Sequence, residues 1–290
     1  MMNIMRTALL MAALTGMFVV VGYFVGGEAG IAIALLFATA GNLFAYWKSD
    51  KMVLSIYGAR EVDARTDPEL VHLLSRLSGV AGLPTPRIYI VENEDANAFA
   101  TGRNPRHAAV CVTSGLLRRV DSQELAGVLA HELSHIRSRD TLTMTLAAII
   151  AGAVAVLANF AFFFGHYGRS RNPLELIDML VVTLVAPVAV VLLQVTVSRT
   201  REFEADRSGA ELLGRPLWLA SALQRIESGP VTENLIADTN PAAAHMFTVK
   251  PLHGEFCGRF ASHPSTEERI ARLKAMAVAM ERTPKSGLWP

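Results

Sequence analysis

The sequence His131-Glu132-Leu133-Ser134-His135 places two imidazoles four residues apart, with a carboxylate beside the first. On an α-helix, residues four apart return to nearly the same face, so both rings can reach one metal ion. Glu132 lies one step round the helix, where it can take a proton from an attacking water rather than bind the metal. The pattern predicts a catalytic zinc site; the alternative is two histidines on a solvent-facing helix.

The sequence around this motif predicts the elements that position it. Asp121 can cap the motif helix, and Glu124, three residues on, can complete a capping box. Before it, an amphipathic helix is expected over residues 70–77, and β-rich segments over 87–91, 97–102 and 108–113. After it, helices are expected over 199–213, over 217–227 and from residue 262, with a long loop over 228–260. A small sheet packed with helices is therefore expected around the motif.

Four stretches of the chain carry no Asp, Glu, Lys or Arg: Thr7–Gly27, Ala29–Trp47, Thr141–Gly168 and Met179–Ser198. Each is close to or above the roughly 20 residues that cross a bilayer as a helix. We expect four spans, arranged as two helical hairpins. A signal peptide is the alternative for the first stretch, and a buried hairpin in a large soluble core is the alternative for the last two.

The basic residues beside these stretches predict an orientation. If every stretch crosses, one side carries Arg6, Lys48, Lys51, Arg137, Arg139, Arg199 and Arg201. On the other side, Arg169 and Arg171 are offset by Glu175 and Asp178, and Glu28 adds a further negative charge. Because cytoplasmic flanks carry the excess of Lys and Arg, both termini and the polar sequence are expected in the cytoplasm.

A catalytic zinc needs a third protein ligand and one position open for water. The extended motif with glycine at 138 and histidine at 141 is absent, because Ser138 and Thr141 stand there. If the motif helix continues to Thr141, its second histidine stands about 9 Å above the membrane edge. The fourth uncharged stretch ends on the same side of the membrane, and a group of carboxylates follows it at a height similar to that of His135. Among them, Glu202 and Asp206 share a helix face, whereas Glu204 points elsewhere.

We expect Glu202 to bind the zinc and Asp206 to accept a hydrogen bond from a ligand histidine, as carboxylates behind metal ligands commonly do. A solvated, charged helix start is the alternative for this group of residues.

The two leading stretches, the His131–His135 motif, the second hairpin and Ser198-Arg-Thr-Arg-Glu-Phe-Glu-Ala-Asp206 resemble the HtpX heat-shock proteases of bacterial inner membranes. These are relatives of the CAAX prenyl endoproteases, and the resemblance extends over nearly the whole chain. It implies an endopeptidase with one Zn²⁺ per chain that degrades misfolded or damaged membrane proteins from the cytoplasmic side without ATP. In that family's Glu-aromatic-x-Ala-Asp motif the first Glu is the zinc ligand, which falls on Glu202.

Two further segments match the family. Asn97-Ala98-Phe99-Ala100-Thr-Gly102 resembles its substrate-binding edge strand, and an extended peptide could add to such an edge through main-chain hydrogen bonds. An ordinary strand is the alternative. His263-Pro264, followed by Arg269, resembles an element packed near the site. His263 is a candidate for stabilising the oxyanion, with a helix-capping histidine as the alternative.

The expected fold class is mainly α and membrane-embedded: two transmembrane helical hairpins plus a zincin-like α+β protease domain with a small β-sheet. Residues 1–50 and 141–198 are expected to form the hairpins, and residues 51–140 and 199–290 the two parts of the protease domain. Because the net charge is +1, no nucleic-acid partner is expected, and because there are only two cysteines, no disulfide framework is expected. A nucleotide is not expected either.

The expected partners are the lipid bilayer and unfolded or damaged membrane-protein substrates. The sequence is also compatible with two other functions. One is a specific processing peptidase of the CAAX type, and the other is a zinc-stabilised membrane adaptor or chaperone without turnover.

Overall fold

A computed structural model describes residues 2–146, 199–228 and 264–282 of the chain. Three predicted parts lie outside these residues: the second hairpin after residue 146, nearly all of the loop over 228–260, and His263. The described helices are α1 (Met2–Ile56), α2 (Pro68–Ala81), α3 (Ser114–Arg119), α4 (Ser122–Ser138), α5 (Arg199–Leu213), α6 (Pro216–Glu227) and α7 (Thr266–Arg282). The described strands are β1 (Arg60–Val62), β2 (Arg87–Val91), β3 (Ala98–Gly102) and β4 (Ala108–Thr113), with a 3₁₀ turn at Pro105–His107.

The first element, α1, folds back on itself at Gly26–Gly27. Both glycines leave the helical conformation, and Gly27 has a φ of 59° and a ψ of −138°, a region that glycine reaches without steric cost. The two halves then lie side by side, because the Asn42 amide donates to Thr15 Oγ1 at 2.9 Å. The start of the chain is therefore a helical hairpin. Among the described residues, one helix, Gly26–Ile56, is long and apolar enough to cross a membrane.

The described sheet has four strands in the order β1-β2-β4-β3. β2 and β4 run parallel, whereas β1 and β3 pair antiparallel with their neighbours, so β3 is an edge strand. One face of the sheet packs on the helices of the main core. The other face, with Tyr89, Phe99 and Cys111, packs on Val53 and Tyr57 at the end of α1. Because both faces are covered, the strands are apolar throughout rather than alternating.

Helix α4 lies at the centre of the main core and packs on α2, α5, α6 and β3. Its predicted capping box is confirmed. The Glu124 backbone N–H donates to the Asp121 carboxylate at 2.9 Å, and the Asp121 N–H donates to the Glu124 carboxylate at the same distance. The approach to α5 is close at Gly209, where an added Cβ would lie 2.9 Å from the His131 backbone nitrogen. The third turn of α5 therefore packs closely against the motif on α4.

The motif helix does not continue to Thr141, so the condition for the height of about 9 Å is not met. α4 ends at Ser138, Arg139 adopts a left-handed conformation with a φ of 59°, and the Asp140 N–H donates to the His135 carbonyl at 3.3 Å. Residues 141–146 then begin a separate helical stretch. The short elements β1 and α3 were not expected either, because neither is long enough to show a periodic pattern.

Candidate metal centre

The structure brings His131, His135 and Glu202 into one buried cluster, with one ligand atom of each within 4.8 Å of the others. The two histidines lie on successive turns of α4, and their Nε2 atoms are 3.1 Å apart. Glu202 comes from the first turn of α5. Its two carboxylate oxygens lie 3.8 Å from the Nε2 of His131 and 3.7 Å from that of His135. The predicted meeting of the motif with this carboxylate is therefore present.

The chemistry of these donors fits zinc. Imidazole nitrogens bind zinc at about 2.0–2.1 Å, so two of them at a tetrahedral ion stand about 3.3 Å apart. The separation of 3.1 Å between the His131 and His135 Nε2 atoms is close to this value. Both rings are also held from behind by carboxylates, so that Nε2 rather than Nδ1 faces the cluster.

Asp206 lies behind His131. Its Oδ1 is 2.9 Å from the His131 Nδ1, one turn beyond Glu202 on α5. Arg269 on α7 completes this arrangement, because its Nε and Nη2 donate to the two Asp206 oxygens at 2.8 Å and 2.6 Å. Burial opposes the ionised form of Asp206, but Arg269 and His131 together hold the pKa of that carboxyl below its usual range. Arg269 therefore links α7 to the carboxylate that orients His131.

Asp140 lies behind the second ligand, and it was not among the residues predicted to form the site. Its Oδ2 is 3.1 Å from the His135 Nδ1, and the side chain is 3% exposed. The left-handed turn at Arg139 points the chain back toward α4 and so brings this carboxylate to the ring. Although burial favours the neutral form of Asp140, His135, Ser138 and the charge of Arg201 lower its pKa. The sequence signal that could have identified Asp140 is a carboxylate five residues after the second histidine.

The same contact sets the protonation of His135. Burial lowers the pKa of the ring, but the adjoining Asp140, with the charges of Glu202 and Glu132, raises it to about 10. In the metal-free protein this imidazole is therefore protonated at neutral pH.

Glu132 is buried beside the cluster without belonging to it. Burial raises the pKa of its carboxyl and Glu202 raises it further, whereas the two histidines and a hydrogen bond from the Ala100 backbone N–H lower it. The net shift is upward, toward the range in which a carboxylate can accept and return a proton near neutral pH. The contact with Ala100 also places the carboxylate at the edge strand β3.

The remaining predicted residues are those of the substrate strand, Glu204 and His263. Asn97, Ala98, Phe99 and Ala100 are buried, and the last three lie on β3, the expected edge strand. Glu204 is exposed, as expected, although it lies between Glu202 and Asp206 in the sequence. His263 lies outside the described residues, so its role as an oxyanion donor stays a prediction.

Comparison with known proteins gives two findings. Residues 64–277, more than half of the chain, match the family described as Peptidase family M48. The crystal structure of S. mikatae Ste24p is similar, with a TM-score of 0.53 and 18% sequence identity, over 94% of this chain and 65% of that one. This chain thus spans just under two thirds of the length of Ste24p. At this identity the likeness concerns the fold.

Proposed function

The chain belongs to peptidase family M48, and on that premise we propose that it is a zinc-dependent endopeptidase of a membrane. The observation that carries the proposal is the buried cluster of His131, His135 and Glu202 with the Glu132 carboxylate next to it. Two imidazoles and one carboxylate are a donor set of catalytic zinc sites. An adjoining carboxylate that does not ligate is the group such hydrolysis needs as a base.

In the proposed mechanism, His131, His135 and Glu202 hold the zinc. When bound, the ion would polarise the scissile carbonyl and make water a stronger acid. Glu132 takes the proton of the attacking water and returns it to the leaving amine, for which its raised pKa suits it. Asp206 and Asp140 keep both rings oriented through their Nδ1 atoms. The burial of all these groups keeps bulk water away from their charges.

The membrane placement is supported by the hairpin. Large apolar side chains on its second helix point outward: Leu36 is 70% exposed and Phe37 is 67% exposed. A contiguous apolar surface of this kind is suited to lipid rather than water. The basic residues flanking the uncharged stretches favour a cytoplasmic active site in a bacterial inner membrane, with all four stretches crossing.

The proposed substrates are misfolded or damaged membrane proteins, cut without ATP as part of quality control under stress. Recognition through the backbone of an edge strand suits such substrates, because main-chain hydrogen bonds tolerate many sequences. A dedicated processing peptidase would use the same groups but would cut one sequence among many. A zinc-stabilised adaptor or chaperone would bind the metal without turnover.

The test uses the full chain purified into zinc-containing proteoliposomes, without nucleotide, and an unfolded single-span membrane protein as substrate. The wild type should cut at several sites. Glu132→Gln should keep about one zinc per chain by mass spectrometry and lose at least ~10²-fold in rate, since general-base catalysis contributes about 10²–10⁴-fold. Glu202→Gln should lose zinc, whereas the exposed neighbour Glu204→Gln should keep both zinc and rate.

Three results would count against the proposal. Normal cleavage by Glu132→Gln would remove the assigned base, and an equal zinc content of the Glu202 and Glu204 variants would remove the assigned ligand. Cleavage of one sequence among many offered would favour the processing peptidase instead.

A further inference from the structure

The edge strand β3 lies alongside the last turns of α1. At one end, the Phe99 and Tyr57 rings meet with centroids 4.9 Å apart. At the other end, the Arg103 guanidinium lies 4.8 Å from the centre of the Trp47 ring and donates to the Trp47 carbonyl at 3.0 Å. The helix from Trp47 to Tyr57 and the strand from Phe99 to Arg103 rise by about 15 Å and about 13 Å. The strand therefore runs antiparallel to the helix, with Gly102 toward Trp47.

Trp47 stands where α1 changes from apolar to charged. The uncharged stretch that begins at Ala29 ends at Trp47 and is followed by Lys48 and Lys51. As a helix this stretch is about 28 Å long, close to the roughly 30 Å of a bilayer core. Tryptophan followed by lysine is typical of the boundary between hydrocarbon and headgroups. The Trp47 side chain, 56% exposed, thus marks the boundary on the first hairpin.

A second, independent boundary lies at the same end of β3. The third uncharged stretch begins at Thr141, whose hydroxyl donates to the Gly102 carbonyl at 3.0 Å. One turn on, the Thr145 and Thr101 hydroxyls are 2.9 Å apart. Two apolar stretches that are far apart in the sequence therefore start or end beside Gly102.

The Glu132 carboxylate lies at a fixed height above Gly102, because it accepts a hydrogen bond from the Ala100 N–H. Ala100 is two residues from Gly102, a rise of about 7 Å along a strand. On the basis of the proposed membrane endopeptidase, we propose that β3 points at the bilayer with Gly102 at the headgroup level. A substrate that pairs with β3 then leads directly into the membrane and is cut about two residues from the headgroup level, the number that a rise of about 7 Å gives along a strand.

This arrangement defines the substrate that the site takes. It is an extended, juxtamembrane segment of a membrane protein, held by the outer edge of β3. Among the described residues no strand pairs with that edge. The segment needs only enough unfolded chain beyond the span to cover the 5 residues of β3, so a folded domain close to the membrane does not protect it.

The orientation is tested without reference to activity. Arg106, in the exposed turn after β3, and Glu94, exposed beside Gly115 at the opposite end of the sheet, are each replaced by cysteine in the full chain carrying Cys257→Ser. The remaining Cys111 is buried and takes no label. An environment-sensitive fluorophore at position 106 should be quenched at least twofold more than one at position 94 by lipids carrying a nitroxide on the headgroup. Equal or reversed quenching would overturn the orientation.

The distance of the cut is tested with single-span substrates. A span is joined to a protease-resistant folded domain by unfolded linkers of about 12, 25 or 50 residues with one repeated sequence. All three should be cut, the shortest within about threefold of the longest, with the bond a few residues from the span by mass spectrometry. Cleavage of the longer linkers alone would overturn the proposal. If no linker is cut, the proposed function fails, and the quenching comparison still decides the orientation.

Discussion

The Asp140 carboxylate lies 3.1 Å from the Nδ1 of His135, although only five residues separate them and a helix carrying both would not bring them together. The left-handed residue Arg139 makes this contact possible. Because a carboxylate behind an imidazole fixes the ring for metal binding, Asp140→Asn should weaken zinc binding by about 10–100-fold. Competition with a chromophoric chelator measures the affinity. Glu211→Gln, an exposed carboxylate change on α5, serves as the control and should leave the affinity unchanged.

The pKa of His135 predicts how many protons zinc displaces. With a pKa of about 10, above the ordinary 6.5, the ring carries its proton at pH 7, and a ligand nitrogen must give it up. Zinc affinity should therefore rise with pH through the neutral range. Asp140→Asn removes the main cause of the raised pKa and should reduce the number of protons released at pH 7. Calorimetry in two buffers of different ionisation enthalpy measures this number; the same value for both proteins would contradict the prediction.

The ion pair between Arg269 and Asp206 predicts a large loss of stability when it is broken. Arg269→Ala leaves a buried carboxylate without its partner, which costs about 3–5 kcal/mol. Arg269→Lys keeps the charge but not the paired hydrogen bonds, so its stability should lie between those of the wild type and Arg269→Ala. Arg272→Ala, three residues on in α7 and largely exposed, is the matched control and should cost far less. Urea unfolding of the metal-free proteins compares them, and similar midpoints for the two alanine variants would refute the assignment.

Gly209 predicts a steric effect on the metal centre. A methyl group there would lie 2.9 Å from the His131 nitrogen and 3.0 Å from the Ala130 carbonyl carbon, so α5 must move away from α4. Gly209→Ala should cost about 1–3 kcal/mol, as overpacking does, and should also weaken zinc binding because Glu202 and Asp206 move with the helix.

Gly79→Ala in α2 is the control for this change, since nothing lies within 4 Å of the added group. There the substitution should stabilise the protein by up to about 1 kcal/mol, because alanine loses less backbone entropy than glycine. Thermal unfolding and zinc titration measure both effects. A Gly209→Ala variant that binds zinc as tightly as the wild type would show that the close approach does not set the position of Glu202.

The sequence by itself determined the parts of this protein whose causes lie within a few residues. The capping box at Asp121 and Glu124, the facing of His131 and His135, and the shared face of Glu202 and Asp206 follow from helical geometry over three or four positions. The strands over residues 87–91 and 108–113 follow from short apolar, β-rich runs in the same way.

Only the tertiary structure decided the rest, because those contacts join residues that no local rule connects. The order that leaves β3 at the sheet edge depends on which runs cover each other's backbone groups. The pairing of Arg269 with Asp206 spans two helices, and the turn that returns Asp140 to His135 depends on one left-handed residue that a propensity for helix would not predict. A buried charge is costly unless it is paired, and which partner lies beside it depends on how the helices and strands pack.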